Sequence, residues 1–489
     1  MGSTDFIIAT AGILLFAGAL SNKLSSRFNL PILLLFLSAG VCAEYFLPFS
    51  GENYAREINF FGIVAMSFIL FAGGSDTAWS AVKEVATRGT VLAAAGVVLT
   101  ALVTGAGAYF LLGAEHSFTW CLLLGAIISS TDAAAVFATL RGKGIGLKGD
   151  LKPLLEFESG SNDPTAAFLT LTMISLVLGS GRSVFWSLPL VVYQLGGGVL
   201  AGIAFGYLGR KVFHLHLEYE GLYFVISVSW VLLCYSICQL LGANGFMACY
   251  VCGIVQNSGR YNYQKALRKF HNGVAWLMQV GLFTVLGFLA SPEELIKPSV
   301  WLPGVMLGLF LIFVARPAAV FICLFRSKYS VREKLMISWV GIRGAAPIVL
   351  ATFPLAMGVE DATLMFRLIF FMVILSVTVQ GWLLMPVAKW LKVAKDAGLE
   401  PEPPPLELEV TRNSAHQEMR ELRVLPESPV AGKTLAEIGL PRGVLVTMIR
   451  RNGVFIPPGG DTRIEDGDGM LIMADIKLLR EVEREFFSC

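Results

Sequence analysis

Thirteen stretches of this 489-residue chain are apolar enough to cross a bilayer, and no other feature limits the fold as strongly. Inside a bilayer every backbone N–H and C=O must be satisfied within the protein. Runs of about 20 apolar residues therefore commit a chain to packed α-helices. The runs lie near 5–21, 30–47, 58–74, 90–112, 117–140, 154–179, 184–209, 221–241, 243–257, 273–290, 300–325, 335–356 and 363–391. Charged residues make up 15% of the chain, against about 25% in soluble domains. The net charge of +2 sets up no global field, and no nucleic-acid partner is expected. The first apolar run lacks a basic leader, so no cleavable signal peptide is expected. Most of the eight cysteines are scattered through apolar runs, which is no disulfide framework. Cys249 and Cys252 read as small residues packing a helix rather than as a redox or metal pair.

Lys and Arg in the connecting loops set the orientation. Alternate loops hold eighteen of them, from Lys23 and Arg27 to Arg332 and Lys334, against four (Arg56, Arg182, Lys297, Arg367) on the other side. The rich side is expected to be cytoplasmic. The N-terminus then lies outside and the residues after Lys389 inside, which agrees with an odd number of spans.

Ionisable groups in mid-membrane are costly and mark function by default. The sixth span carries Glu158-Ser159-Gly160-Ser161-Asn162-Asp163-Pro164. With a rise of 1.5 Å per residue, Asp163 lies about 14 Å from the inner face, near the middle of a core about 30 Å thick. Arg316 of the eleventh span comes to about the same depth, and Asp132 and Arg343 to about 12 Å. Two spans are interrupted: the fifth by Ser129-Ser-Thr-Asp132-Ala-Ala-Ala, the twelfth by Gly341-Ile-Arg343-Gly-Ala-Ala-Pro347. If spans 1–6 and 8–13 are inverted repeats, the two interruptions correspond, and such pairs point to a transporter site.

Matched depth pairs Glu158 with Arg316, and Asp132 with Arg343 where the two broken helices cross. For Glu158 and Arg316, holding helices together outweighs ion carriage. For Asp132 and Arg343, compensation of half-helix dipoles is expected. Asp163 is left without a fixed basic partner, so its carboxylate is the expected carrier that trades a proton for a cation. Asn162 would orient or coordinate beside it. Thr131 is either an ion ligand or a helix-bonded hydroxyl. Ser159 shares a helical face with Asp163.

From residue 395 the composition changes. A linker, 395–405, contains the Pro-rich Glu400–Pro405, and 406–489 alternates short β-like runs with turns such as Pro457-Pro-Gly-Gly460. The expected fold class is an all-α polytopic membrane domain over 1–394, with about thirteen spans, and a small α+β cytoplasmic domain over 406–489.

Ser130-Thr131-Asp132, the Glu158–Pro164 stretch, Gly245 to Gly253, Arg316-Pro317, Gly341–Ala345 and Gln380-Gly381 together resemble the NhaP-like branch of the monovalent cation/proton antiporters. Ser428 to Ala474 resembles the carboxy-terminal TrkA (RCK C-terminal) domain, a combination that looks like the bacterial potassium/proton antiporters of this branch. The resemblance implies a homodimer in the bacterial inner membrane, with a mobile core moving like an elevator. It implies Asp163 as the shared cation and proton site, supported by Asn162, with Thr131 and Ser159 as ligands and a Glu158–Arg316 pair. It further implies one-for-one, electroneutral exchange, no cofactor, and a nucleotide or ion as regulatory ligand of the C-terminal domain. Two departures stand out. Ala133 replaces the common proline after Thr-Asp, and Phe71-Ala-Gly-Gly74 lacks the acidic residue often found at the end of span 3.

The leading expectation is an antiporter that exchanges potassium, or else sodium, for protons. The alternative is a potassium channel gated by an RCK-like tail. The chain lacks a Thr-Val-Gly-Tyr-Gly filter, and broken helices around a buried carboxylate fit alternating access better. No nucleotide-binding or hydrolase motif supports an enzyme.

Overall fold

A computed structural model describes residues 12, 16, 32–46, 54–133, 136, 137, 140, 145–179, 184–290, 292–396, 417–424, 428–451 and 454–487. Most of the run at 5–21 and most of the 395–405 linker lie outside them. The chain divides into two compact units: 1–259 with 267–397, and 260–266 with 398–489.

The first unit is helical. Its main elements are α1 Ile32–Phe46, α2 Ala55–Asp76, α3 Ala86–Leu112, α4 Phe118–Ile128, α5 Leu151–Val177, α6 Pro189–Phe213, α7 Gly221–Leu240, α8 Gly245–Asn257, α9 Gln264–Phe288, α10 Pro298–Cys323, α11 Val331–Trp339, α12 Ala345–Ala356 and α13 Ala362–Trp390. Among the described residues six helices are long and apolar enough to cross a membrane: α2, α3, α6, α7, α10 and α13. The short α4 and α12 are apolar halves of the two interrupted spans. The first half of α5 is too polar for a simple span because it carries Lys152, Glu156, Glu158 and Asp163.

Local chemistry sets several helix ends. Ser330 and Glu333 form a reciprocal capping box that starts α11. The Asn244 side chain accepts from Met247 N and starts α8. Three spans carry a widened π turn, at Leu92–Gly96, Leu311–Ala315 and Ser376–Gln380. The second ends directly before Arg316-Pro317, where Pro317 has no N–H to give the regular ladder. Helices α2 and α8 approach closely because a Cβ on Gly74 would run into the Tyr250 carbonyl and one on Gly253 into the Phe71 carbonyl.

Strand β1, Ile145–Leu147, pairs antiparallel with β2, Ala394–Asp396. Lys148 N adds a bond to Val393 O at 3.0 Å. The segment that enters α5 is thereby tied to the end of the helical unit.

The second unit holds a four-stranded antiparallel sheet in the order β3-β6-β4-β5, with β3 Gln417–Arg423, β4 Leu445–Arg451, β5 Val454–Ile456 and β6 Gly469–Asp475. A short α14, Leu435–Ile438, and α15, Ile476–Val482, complete it. Leu422, Ile449, Ile464, Met470, Ile472 and Leu479 form its separate core.

Candidate ion site at the two helix breaks

The breaks meet each other. After Ile128 the chain turns at Ser129 and runs non-helically through Asp132; after Trp339 it turns at Val340 and stays non-helical through Gly344. Asp132 N donates to Ile342 O at 2.7 Å, joining the two unwound segments. Unwound backbone within membrane depth survives only where such partners exist.

Arg343 supplies most of the rest. It is buried, and its Nη1 donates to Ser129 O at 2.7 Å and Ser130 O at 2.6 Å. Where the sequence reading paired Arg343 with Asp132, its Nη1 goes to the carbonyls freed where α4 ends. A helix C-terminus carries partial negative charge and orphan carbonyls, and a guanidinium answers both. Asp132 instead packs against Gly344, where a side chain would collide with its carboxylate. On the second break, Arg343 N donates to Ser376 Oγ at 3.0 Å, Ser376 Oγ donates to Gln380 Oε1, and Gln380 Nε2 donates to Trp339 O at 2.8 Å. The π turn of α13 thus closes the end of α11.

Helix α5 lies across both breaks. Ser159 Oγ donates to Thr131 O and accepts from Ala133 N, both at 2.9 Å, which ties its hydroxyl to the break and leaves one lone pair. Asn162 Nδ2 donates to Thr131 Oγ1 at 2.6 Å. Glu158 pairs with Arg316 Nη2 at 2.7 Å, with both side chains almost wholly buried.

Asp163 is half-buried beside Ser130, within electrostatic range of Asp132 and Arg343. It makes no ion pair among the described residues. Its Oδ1 is buried, as is Asn162 Oδ1, and the Ser130 hydroxyl lies within hydrogen-bonding reach of the Asp163 carboxylate. Buried oxygens of Asp163, Ser130 and Asn162 at one helix break make this the candidate site for a dehydrated cation or a proton. Sequence reasoning named Asp163, Asn162, Thr131 and Ser159, and the fold gathers all four here. It missed Ser130 as an open oxygen, Ser376 as a cap, and Asn244, whose Nδ2 donates to Pro164 O at 3.0 Å, directly after Asp163. Lone serines and asparagines in apolar runs carry no spacing signal.

The arrangement of broken helices around a carboxylate is that of a secondary transporter, and the chain belongs to the sodium/hydrogen exchanger transmembrane family, whose profile matches residues 11–390. The TrkA-C domain profile matches 419–486. The chain is 35% identical to the K(+)/H(+) antiporter NhaP2 of Shewanella oneidensis, over 99% of this chain and 84% of that one. It is 34% identical to the K(+)/H(+) antiporter NhaP of Alkalimonas amylolytica, over 97% and 83%. The structure of the sodium proton antiporter MjNhaP1 from Methanocaldococcus jannaschii superposes with a TM-score of 0.66, covering 77% of this chain and 99% of that one at 22% identity, which supports the same fold.

Proposed function

We propose that this protein exchanges potassium for protons one for one, by alternating access, with Asp163 binding the cation and the proton in turn. The observation that carries this reading is the buried Oδ1 of Asp163, which has no ion-pair partner among the described residues and lies beside Ser130 at the break. A carboxylate that must be either protonated or cation-bound couples the two flows. Potassium is favoured over sodium because relatives at 34–35% identity over nearly the whole chain are K(+)/H(+) antiporters. A single titrating carboxylate next to an asparagine supports electroneutrality. In this reading about thirteen helices, arranged as two inverted repeats, span the membrane. Two copies form a dimer, the face bearing Lys148 and Lys152 is cytoplasmic, and the TrkA-C domain regulates exchange by binding a small nucleotide or ion.

The test is reconstitution in vesicles with an internal pH dye. Adding potassium should move protons in the wild type, at a rate unchanged when the membrane potential is clamped. A rate that follows the clamp would refute electroneutrality, and single-channel currents would favour a gated channel.

A further inference from the structure

Glu156, Gly160 and Asp163 follow one another at helical spacing and share a face of α5. Seven residues separate the two carboxylates, about 10 Å along the axis. Midway between them the ring of Tyr250, from α8, rests on Gly160, where a Cβ would run into its Cε2 and Cζ. Tyr250 is 1% exposed, so its hydroxyl is shut off from bulk water. That hydroxyl lies beside the side chains of Thr77, which closes α2, and of Ser161 on α5, and within electrostatic range of both Glu156 and Asp163. Thr77 and Ser161 are themselves buried. Thr77 Oγ1 spends its hydrogen on Gly73 O at 2.7 Å, so its oxygen can only accept. Three buried hydroxyls from three elements thus meet between the two carboxylates, and a hydroxyl oxygen that gives one hydrogen bond and takes one keeps a second lone pair for a cation.

We infer that the hydroxyls of Tyr250, Thr77 and Ser161 form a second, oxygen-lined station for the transported alkali cation, between Glu156 and Asp163. The inference rests on the antiport reading above and adds a step to it. A cation leaving water on the Glu156 side exchanges hydration oxygens for these hydroxyls before it reaches the carboxylate. Hydroxyl oxygens can hold a monovalent cation briefly without binding it so tightly that it stays. Three elements contribute, one hydroxyl each from α2, α5 and α8, so the station is complete only when α5 sits against α2 and α8.

The test uses the full-length protein in everted vesicles, which expose the cytoplasmic face, with exchange followed against potassium concentration and pH. Exchange in the wild type that vanishes in Asp163→Asn secures the underlying reading. Tyr250→Phe keeps the ring on Gly160 and removes only the oxygen. It should raise the potassium KM by about 3- to 10-fold, the loss of one ligand oxygen, while maximal rate falls less. Thr77→Val should do the same, and Thr77→Ser should restore the wild-type KM. An unchanged KM in both Tyr250→Phe and Thr77→Val overturns the station. So does a lower maximal rate at constant KM, which means packing alone, or a shifted pH profile at constant KM, which assigns the hydroxyls to the proton. A wild type that exchanges nothing removes the antiport reading and the station together.

Discussion

At the residue scale the site divides into groups that build it and groups left open. Ser159 builds: its hydroxyl spans Thr131 O and Ala133 N and holds the break open. Ser159→Ala should leave both buried groups unsatisfied, at a cost of about 1–3 kcal/mol each, and lower exchange sharply even though the carboxylate is intact. Glu158 and Arg316 also build. Arg316→Met leaves a buried carboxylate without its partner and should destabilise the protein by about 3–5 kcal/mol. Adding Glu158→Leu should recover most of that loss, because burying two apolar groups is far less costly than burying one unpaired charge. Thermal unfolding in detergent reads both changes, and a double variant as unstable as the single one would show that the pair acts through more than its charge. Asp163, Asn162 and Ser130 are the open groups, each with a buried oxygen that keeps capacity for a further ligand.

At the scale of elements, the broken helices work as mutual caps. Asp132 N, Arg343 Nη1 and Ser376 Oγ replace the ladder bonds that α4 and α11 give up. The breaks were legible in Ser-Ser-Thr-Asp and Gly-Ile-Arg-Gly, because charges next to helix-weakening residues have few other readings in an apolar run. A half-helix end was the role expected of Arg343, but which carbonyls it takes was not legible. Depth matched it equally to a carboxylate and to a helix end, and only the direction in which α4 delivers its carbonyls decides between them. The start of α5 offers a pH test outside the membrane. Burial raises the pKa of Asp150, but hydrogen bonds from Lys328 and Tyr329 outweigh it, so the net shift is below the usual 3.8. The Lys328 Nζ lies 2.9 Å away. A depressed carboxylate stabilises the fold above its unfolded pKa, and this contribution fades as the pH drops through the lower folded value. The gap in melting temperature between wild type and Asp150→Asn should therefore be present at neutral pH and close below about pH 4. A gap independent of pH would assign the effect to packing.

At the scale of the molecule, the helical unit and the sheet unit each carry their own core. The composition changes near residue 395, and β-like runs at 422–425, 444–450 and 470–473 overlap β3, β4 and β6, while β5 went unread. The strand order β3-β6-β4-β5 was not readable, because antiparallel partners far apart in sequence leave no local mark. In that unit Arg451 donates to both oxygens of Asp468, at 2.9 and 2.8 Å, while Asp468 is 1% exposed. Arg451→Ala strands the buried carboxylate and should unfold the sheet by about 3–5 kcal/mol, with faster hydrogen exchange over 445–475 and little change in the helical unit. Faster exchange in both units would show that they unfold as one. For the helical unit one chemical question then remains: whether one carboxylate serves both ions.

That question is answered most directly by counting protons during cation binding to the purified protein. A ligand that must be deprotonated releases its proton when a cation takes its place. Titrating potassium into weakly buffered wild type, near the pH at which half the sites are protonated, should release a proton from each protonated site that binds, and Asp163→Asn should release none. Potassium binding to the wild type without proton release, or release that persists in Asp163→Asn, would contradict Asp163 as the shared carrier.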